Sequence, residues 1–354
     1  MRNIQIVFVN DNPFSLGFGG KEVQLLSYER YLNNQKNFSV KRLDFWSKND
    51  LENCSILHIF GSTKGLHTLV RAAKLNFPHI KIVLSPNFYS AHPFIESILV
   101  KLTSHIPIPN IFSYRKELFT LSDLLIVNSL SEKNQIEKIY LPLKKEKSRI
   151  SVILNGIEDN FHNLEDKSIF CKKFNLNPGY LLSVAFLGER KNSINLIKSF
   201  LSTIKMHNRK LVLIGDYRFS DSQKSNECRE LIQNYPDRIL HIPYIDRGNS
   251  ANLLKSAYAN CHAHLLPSIL ETPGISTIEA LAYGCPILVG DCKPVRDYFI
   301  DVPIYCKPTS LDDISRKILF IATNDFGKAF NALSGKFTWS NILRDLPHVY
   351  NSLV

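Results

Sequence analysis

Short apolar runs alternate with amphipathic stretches along most of this chain, and that alternation sets its expected architecture. In the first third, residues 4–9, 39–43, 56–60, 81–84 and 124–127 read as strands. Between them, 21–32, 66–74, 113–121 and 131–139 carry apolar residues at helical spacing, with Val23, Leu25, Leu26 and Leu32 on the inner side of the first. A strand at 150–154 leads into the polar tract 158–168, read as an interdomain linker. The pattern then restarts. Strands are expected at 181–186, 210–214, 239–242, 263–266, 287–289 and near 304–305. The intervening helices are expected at 194–204, 227–234, 250–258, from Ser276 onward, and at 311–322. Strands alternating with helices predict an α/β protein with mostly parallel, doubly wound sheets. Two similar halves are expected, with a ligand between them.

At 354 residues the chain suits two domains. We expect an N-terminal domain at 1–160, a C-terminal domain at 161–335, and a tail at 336–354. In that tail Trp339, Ile342, Leu343, Val349 and Tyr350 recur at helical spacing, which predicts a helix crossing back onto the first domain. No apolar run approaches the roughly 20 residues that span a bilayer. Residues 4–9 are too few for a signal-peptide core and read as the first strand. The seven cysteines are scattered with no Cys-x-x-Cys pair. That argues against zinc and a disulfide framework, and suits a reducing cytoplasm.

Charge adds an anionic partner to this picture. The net charge is +11, which points to nucleotide phosphates, nucleic acid or an anionic membrane surface. Residues 1–160 carry 20 Lys and Arg against 14 Asp and Glu, and the remainder 23 against 18. An even spread argues against a nucleic-acid face, which would gather basic residues into one stripe. Within 92–120, Phe94, Ile95, Ile98, Leu99, Leu102, Ile106, Ile108, Ile111, Phe112 and Phe119 mix with Lys101, Arg115 and Lys116. This stretch reads either as a surface resting on a membrane interface or as the commoner buried helix and loop.

Three loops carry candidate chemistry. Gly17-x-Gly19-Gly20 follows the first strand and opens a helix, where glycines let backbone N–H groups approach a phosphate. A flexible turn is the plain alternative. Glu22 stands where a dinucleotide fingerprint needs glycine, which disfavours a nicotinamide enzyme. Gly188-Glu189-Arg190-Lys191-Asn192 sets two cations beside a strand end, suited to a departing diphosphate or to plain surface. The stretch from Leu270 to Ala282 holds Glu271 and Glu279 eight positions apart, around a Pro-Gly turn and a helix start. Glu279 fits two roles: closing a capping box with Ser276, or accepting hydrogen bonds from a vicinal diol.

The Glu-x7-Glu pattern, between Leu265-Leu266-Pro267-Ser268 and Ala280-Leu281-Ala282-Tyr283-Gly284-Cys285-Pro286, resembles the signature of the family 4 retaining glycosyltransferases of GT-B fold. Gly19-Gly20-Lys21-Glu22, Ser122–Ser129, Val152–Ile157, Ser183–Asn192, Leu211–Asp216 and Trp339–Tyr350 are similar to other family segments, in the same order. The resemblance implies two Rossmann-like domains facing a cleft, a C-terminal helix returning to the first, and no divalent metal. It implies a nucleotide-sugar substrate such as a UDP- or GDP-hexose. Glu279 would bind the ribose and Glu271 the transferred sugar. Lys191, with Arg190, would neutralise the diphosphate. Backbone amides at Gly274, Ile275, Ser276 and Thr277 would contact phosphate and sugar, with Gly19 and Gly20 closing from the first domain. Asn87 and His92 are the candidates for the family's first-domain sugar contact. Phe186 stands where many members carry Arg, and Thr272-Pro273 replaces a commoner small-aromatic pair.

The implied activity is transfer of a hexose to a saccharide or lipid-linked acceptor in bacterial surface-polysaccharide assembly, in the cytoplasm at the inner face of the membrane. Two alternatives are a catalytically impaired partner subunit and a nucleic-acid-modifying glycosyltransferase.

Overall fold

The computed structural model describes residues 3–16, 18–103, 109–142, 149–246, 250–327 and 335–354. The chain divides into two compact units, Met1–Gly156 with Trp339–Val354, and Ile157–Thr338. In the first, β1 (Ile4–Asn10), β2 (Phe38–Arg42), β3 (Ile56–Phe60), β4 (Lys81–Ser85), β5 (Leu124–Val127) and β6 (Ile150–Val152) form a parallel sheet in the order β2-β1-β3-β4-β5-β6. The central strands β3, β4 and β5 are apolar on both faces, as parallel sheets covered by helices require. Along β1, Ile4, Ile6 and Phe8 enter one core with Tyr28 and Phe60. Val7 and Val9 enter the other, with Leu57, Ile59 and Leu84. This is the period-2 alternation of a pleated strand. Each fully buried aliphatic or Phe side chain contributes roughly 1.5–3 kcal/mol, so packing rather than strand propensity holds the layers together.

The C-terminal segment completes the first of these cores. Trp339, Leu343, Leu346 and Tyr350 are buried in it. Two short helices, Trp339–Ile342 and Leu346–Asn351, replace the continuous helix that the spacing predicts. The physical reason is Pro347, which fits a first turn but not a helix interior. The Tyr350 hydroxyl meets His58 Nδ1, and His58 Nε2 lies 2.9 Å from Ser85 Oγ. Burial of this imidazole pushes its pKa down to about 3.

The helix Pro93–Thr103 corrects the expectation of a buried helix. Only Val100 is buried, whereas Phe94, Ile95, Ile98 and Leu102 are 76, 55, 44 and 57% exposed. Glu96 turns toward Arg115, at 2.9 Å, which leaves the apolar face outward. Ile106 and Ile108 lie outside the described residues. Among the described residues no helix is long and apolar enough to cross a membrane.

The second unit repeats the plan. Strands β7 (Tyr180–Val184), β8 (Leu211–Ile214), β9 (Ile239–Ile242), β10 (Cys261–Leu266), β11 (Ile287–Gly290) and β12 (Ile304–Cys306) lie in the order β12-β11-β10-β7-β8-β9. The winding direction reverses between β7 and β10, which pair directly. The polar tract 158–168 packs onto this unit. Phe161 is buried beside Tyr258, and its carbonyl accepts a 2.9 Å hydrogen bond from Tyr283. Two short helices that the apolar pattern does not signal, Ile169–Phe174 and Lys293–Phe299, complete the layers.

Candidate functional site

In a doubly wound sheet the crevice beyond the strand C-termini, where winding reverses, is the favoured ligand position. In the second unit that position lies between the loops following β7 and β10. The first loop carries Arg190 and Lys191, the second Glu271. Backbone and side-chain bonds staple the two loops together. The Ile269 N–H donates to the Arg190 carbonyl at 3.0 Å. The Asn192 amide donates to Pro267 at 3.0 Å and to Pro308 at 2.7 Å. Lys191 and Glu271, 80 positions apart in sequence, are thereby fixed side by side.

The Lys191 ammonium donates to Glu271 Oε2. Their residues are only 9 and 7% exposed. Ser268 donates to the same oxygen at 3.3 Å, and the Thr272 N–H to Oε1 at 3.3 Å. Arg190 Nη1 stands 3.9 Å from Oε1 and is half exposed. Burial opposes ionisation of Glu271, but the Lys191 and Arg190 charges and the hydrogen bonds outweigh it and hold the carboxyl below its ordinary range. Burial pulls the Lys191 ammonium down, and Glu271 opposes it.

Gly274 starts the helix Ile275–Ala282 with φ of 87°, a conformation that favours glycine. A Cβ there would stand 3.0 Å from Leu266 Cδ2 and 3.2 Å from Glu271 Cγ, so a larger residue would press on the carboxylate it serves. Ile275 and Ser276 lie in the first turn, where helix N–H groups lack intrahelical partners. The Thr277 N–H is already given to the Gly274 carbonyl at 2.9 Å. Its hydroxyl is buried without a hydrogen-bond partner among the described residues.

Glu279 departs from the capping role. The helix begins one residue before Ser276 and is capped by Gly274, so the Ser276–Glu279 box does not form its start. The carboxylate is instead buried and accepts a 2.7 Å hydrogen bond from the Tyr258 hydroxyl, contributed by the helix Ala251–Asn260. Nothing local in the sequence signals Tyr258, which lies 21 positions away.

The first unit gathers another set. Gly19 caps the helix Gly20–Asn33, but its N–H is taken by Glu22 Oε2 at 2.8 Å. At Gly19 the N–H is therefore already engaged within the loop. Gly17 lies outside the described residues. Asn87 joins a ring of amides: it donates to Gln24 at 3.3 Å, Gln24 donates to Asn128 at 2.9 Å, and Asn128 donates back to Asn87. His92 is not part of this ring. It is exposed at the start of the helix Pro93–Thr103, and its imidazole makes no hydrogen bond among the described residues. Lys191, Arg190, Glu271 and the Gly274 turn thus share one site, while Asn87, Gly19 and Gly20 belong to the other unit.

Residues 165–333 match the family model described as glycosyl transferases group 1. The chain is 25% identical over 195 residues to the processive diacylglycerol alpha-glucosyltransferase of Acholeplasma laidlawii, a match covering 54% of each chain. It is 27% identical over 180 residues to the O-antigen chain mannosyltransferase RfbU of Salmonella typhimurium, covering 51% of this chain and 45% of the other. The chain spans about half the length of the curated relatives it matches. Among solved structures, it superposes on the sucrose-phosphate synthase of Thermosynechococcus elongatus with a TM-score of 0.75, at 15% identity over 99% of both chains. Anabaena HepE, solved with UDP-glucose, gives 0.72 at 14% identity over 99% of this chain and 100% of that one. These structural likenesses establish the fold. The second unit belongs to the glycosyl transferases group 1 family, and the chain has the GT-B fold of two Rossmann-like units.

Proposed function

We propose that this protein is a retaining, metal-independent hexosyltransferase. It moves a hexose from a nucleotide-sugar donor, such as a UDP- or GDP-hexose, to a saccharide or lipid-linked acceptor in surface-polysaccharide assembly. The observation that carries this reading is the buried Lys191–Glu271 pair at the winding reversal, beside a helix start opened by Gly274. An ammonium has three donors, so Lys191 can keep Glu271 in place while meeting a donor phosphate. Arg190 and the first-turn N–H groups supply further countercharge. The sugar C1–O(phosphate) bond breaks, the acceptor oxygen joins C1 from the same face, and the departing phosphate takes the acceptor proton. Glu271 holds sugar hydroxyls and Glu279 the ribose diol. The orphaned Thr277 hydroxyl is suited to the same ligand. HepE solved with UDP-glucose supports the donor class, and the relatives named for diacylglycerol and O-antigen support the acceptor class.

The test is donor binding and product stereochemistry. Glu279→Gln keeps an acceptor for Tyr258 but removes the charge. We expect its donor Kd to rise by about 10- to 100-fold, the worth of a charge-assisted hydrogen bond, with an unchanged melting temperature. Unaltered donor affinity would remove Glu279 from the site. NMR of the product should show the donor's anomeric configuration; an inverted bond overturns the mechanism. Detectable transfer also rules out an inactive partner subunit.

The exposed face of the helix Pro93–Thr103 supports action at an anionic membrane surface, with Lys101 beside the apolar residues. We expect the protein to co-sediment with vesicles containing anionic lipid. Replacing Phe94, Ile98 and Leu102 together by serine should release it without altering the fold. Equal sedimentation of the variant would remove this face from the interaction.

A further inference from the structure

The aromatic ring of Phe186, directly after β7, gathers three cations. The Arg218 guanidinium lies 4.8 Å from the ring centre, the Lys191 ammonium 5.6 Å and the Arg190 guanidinium 5.8 Å. The backbone brings the loops that carry these residues together. Beyond β7 and β8 the ladder continues through a parallel bridge between Leu187 and Tyr217. The Leu187 N–H donates to Asp216 at 2.8 Å, and the Arg218 N–H donates to Leu187 at 2.7 Å. A Cβ on Gly188 would stand 2.5 Å from the Arg218 carbonyl, so the two loops run in direct contact. Arg218 therefore reaches the Lys191 side of the sheet end from a third loop.

The anions do not match the cations. Among the described residues Glu271 is the one carboxylate within 4.0 Å of any of the three, and Lys191 already holds it. Arg218 is exposed and has no carboxylate within that distance among the described residues. Glu189, adjacent in sequence, is turned away to Ser220 at 2.7 Å and Lys224 at 4.0 Å. Like charges this close repel, and the ring's negative face only partly offsets that. Three cations beside one carboxylate that is already paired suit a compact, multiply charged anion.

We infer that Arg218 is a third cation for the donor diphosphate and that Phe186 is the platform holding it beside Lys191 and Arg190; this rests on the nucleotide-sugar reading above. Guanidinium forks suit phosphate oxygens because they offer paired donors in one plane. Phe186 thus does not leave the site a charge short, because the loop after β8 contributes one.

Calorimetric titration with UDP, GDP and ADP, and with the matching nucleosides, tests the assignment. The wild type should bind at least one nucleoside diphosphate. Arg218→Ala should weaken that binding by about 10- to 100-fold and leave nucleoside binding unchanged. Arg218→Lys should recover part of the loss. Phe186→Leu, which keeps an apolar side chain but removes the ring, should lose affinity for the diphosphate only. If the wild type binds none of the three diphosphates, the donor reading fails and the clamp with it. If the wild type binds and Arg218→Ala binds equally well, the clamp alone is wrong. Equal losses for diphosphate and nucleoside would also overturn it, because they indicate a distorted unit rather than a lost phosphate contact.

Discussion

Replacing Lys191 by methionine should abolish the proposed glycosyl transfer and destabilise the second unit by about 3–5 kcal/mol, the usual cost of leaving one member of a buried ion pair alone. Glu271 is 7% exposed and would lose its ammonium and much of its countercharge. Arg190, 3.9 Å away and half exposed, cannot replace it from its present position. The double variant Lys191→Met, Glu271→Gln separates the two consequences. Its neutral amide can still accept from Ser268 and the Thr272 N–H, so most of the stability should return. Transfer should not return, because the cation proposed for the donor phosphate is gone. Urea unfolding followed by circular dichroism, beside a transfer assay, reads both. A double variant that stays as unstable as the single one would refute the pair as the cause.

Acidification should weaken the first unit through His58 by a comparable amount. Its pKa is about 6.5 unfolded and about 3 folded, because the imidazole is buried neutral between Tyr350 and Ser85. Below pH 6.5 the unfolded chain takes up a proton that the folded one refuses. Stability from this group is therefore fully present above pH 6.5 and lost as pH falls toward 3. The slope is about 1.4 kcal/mol per pH unit, and the total about 5 kcal/mol. Both tryptophans, Trp46 and Trp339, belong to this unit, so their fluorescence during urea unfolding reports it selectively. Burial raises the Glu132 carboxyl of the same unit to about 7, which acts in the opposite sense, so the test is the difference: on acidification His58→Gln should lose less stability than the wild type, by up to the His58 amount. Equal slopes in the two proteins would assign the acid sensitivity elsewhere.

The His58–Tyr350 contact also shows where sequence reading stops. The apolar positions 339–350 are visible as a helical pattern, and the pattern itself requires that they be buried. Which surface buries them is a long-range fact. Tyr350 and His58 are 292 positions apart, and no local spacing encodes that pairing. Glu279 gives the opposite lesson. Ser276-Thr277-Ile278-Glu279 satisfies a capping pattern locally, yet the Pro273-Gly274 turn starts the helix two residues earlier than that cap would. Tyr258 then takes the carboxylate that the local pattern would have used at the helix start. A local preference worth about 1 kcal/mol yields to packing that fixes the whole helix.

The amino-acid sequence by itself determined the α/β class, the strands in their order, and the residues Lys191, Glu271, Gly274 and Glu279 as candidates. Apolar periodicity and turn chemistry are local physical requirements, and they act within a few residues. Only the tertiary structure decided that Lys191 neutralises Glu271, that Tyr258 holds Glu279, that the helix Pro93–Thr103 faces outward, and that Arg218 joins Arg190 and Lys191 over Phe186. Those pairings depend on which loops the parallel sheet brings together at its C-terminal edge. The countercharge of Glu271 thus comes from the loop after β7, delivered by the direct pairing of β10 with β7.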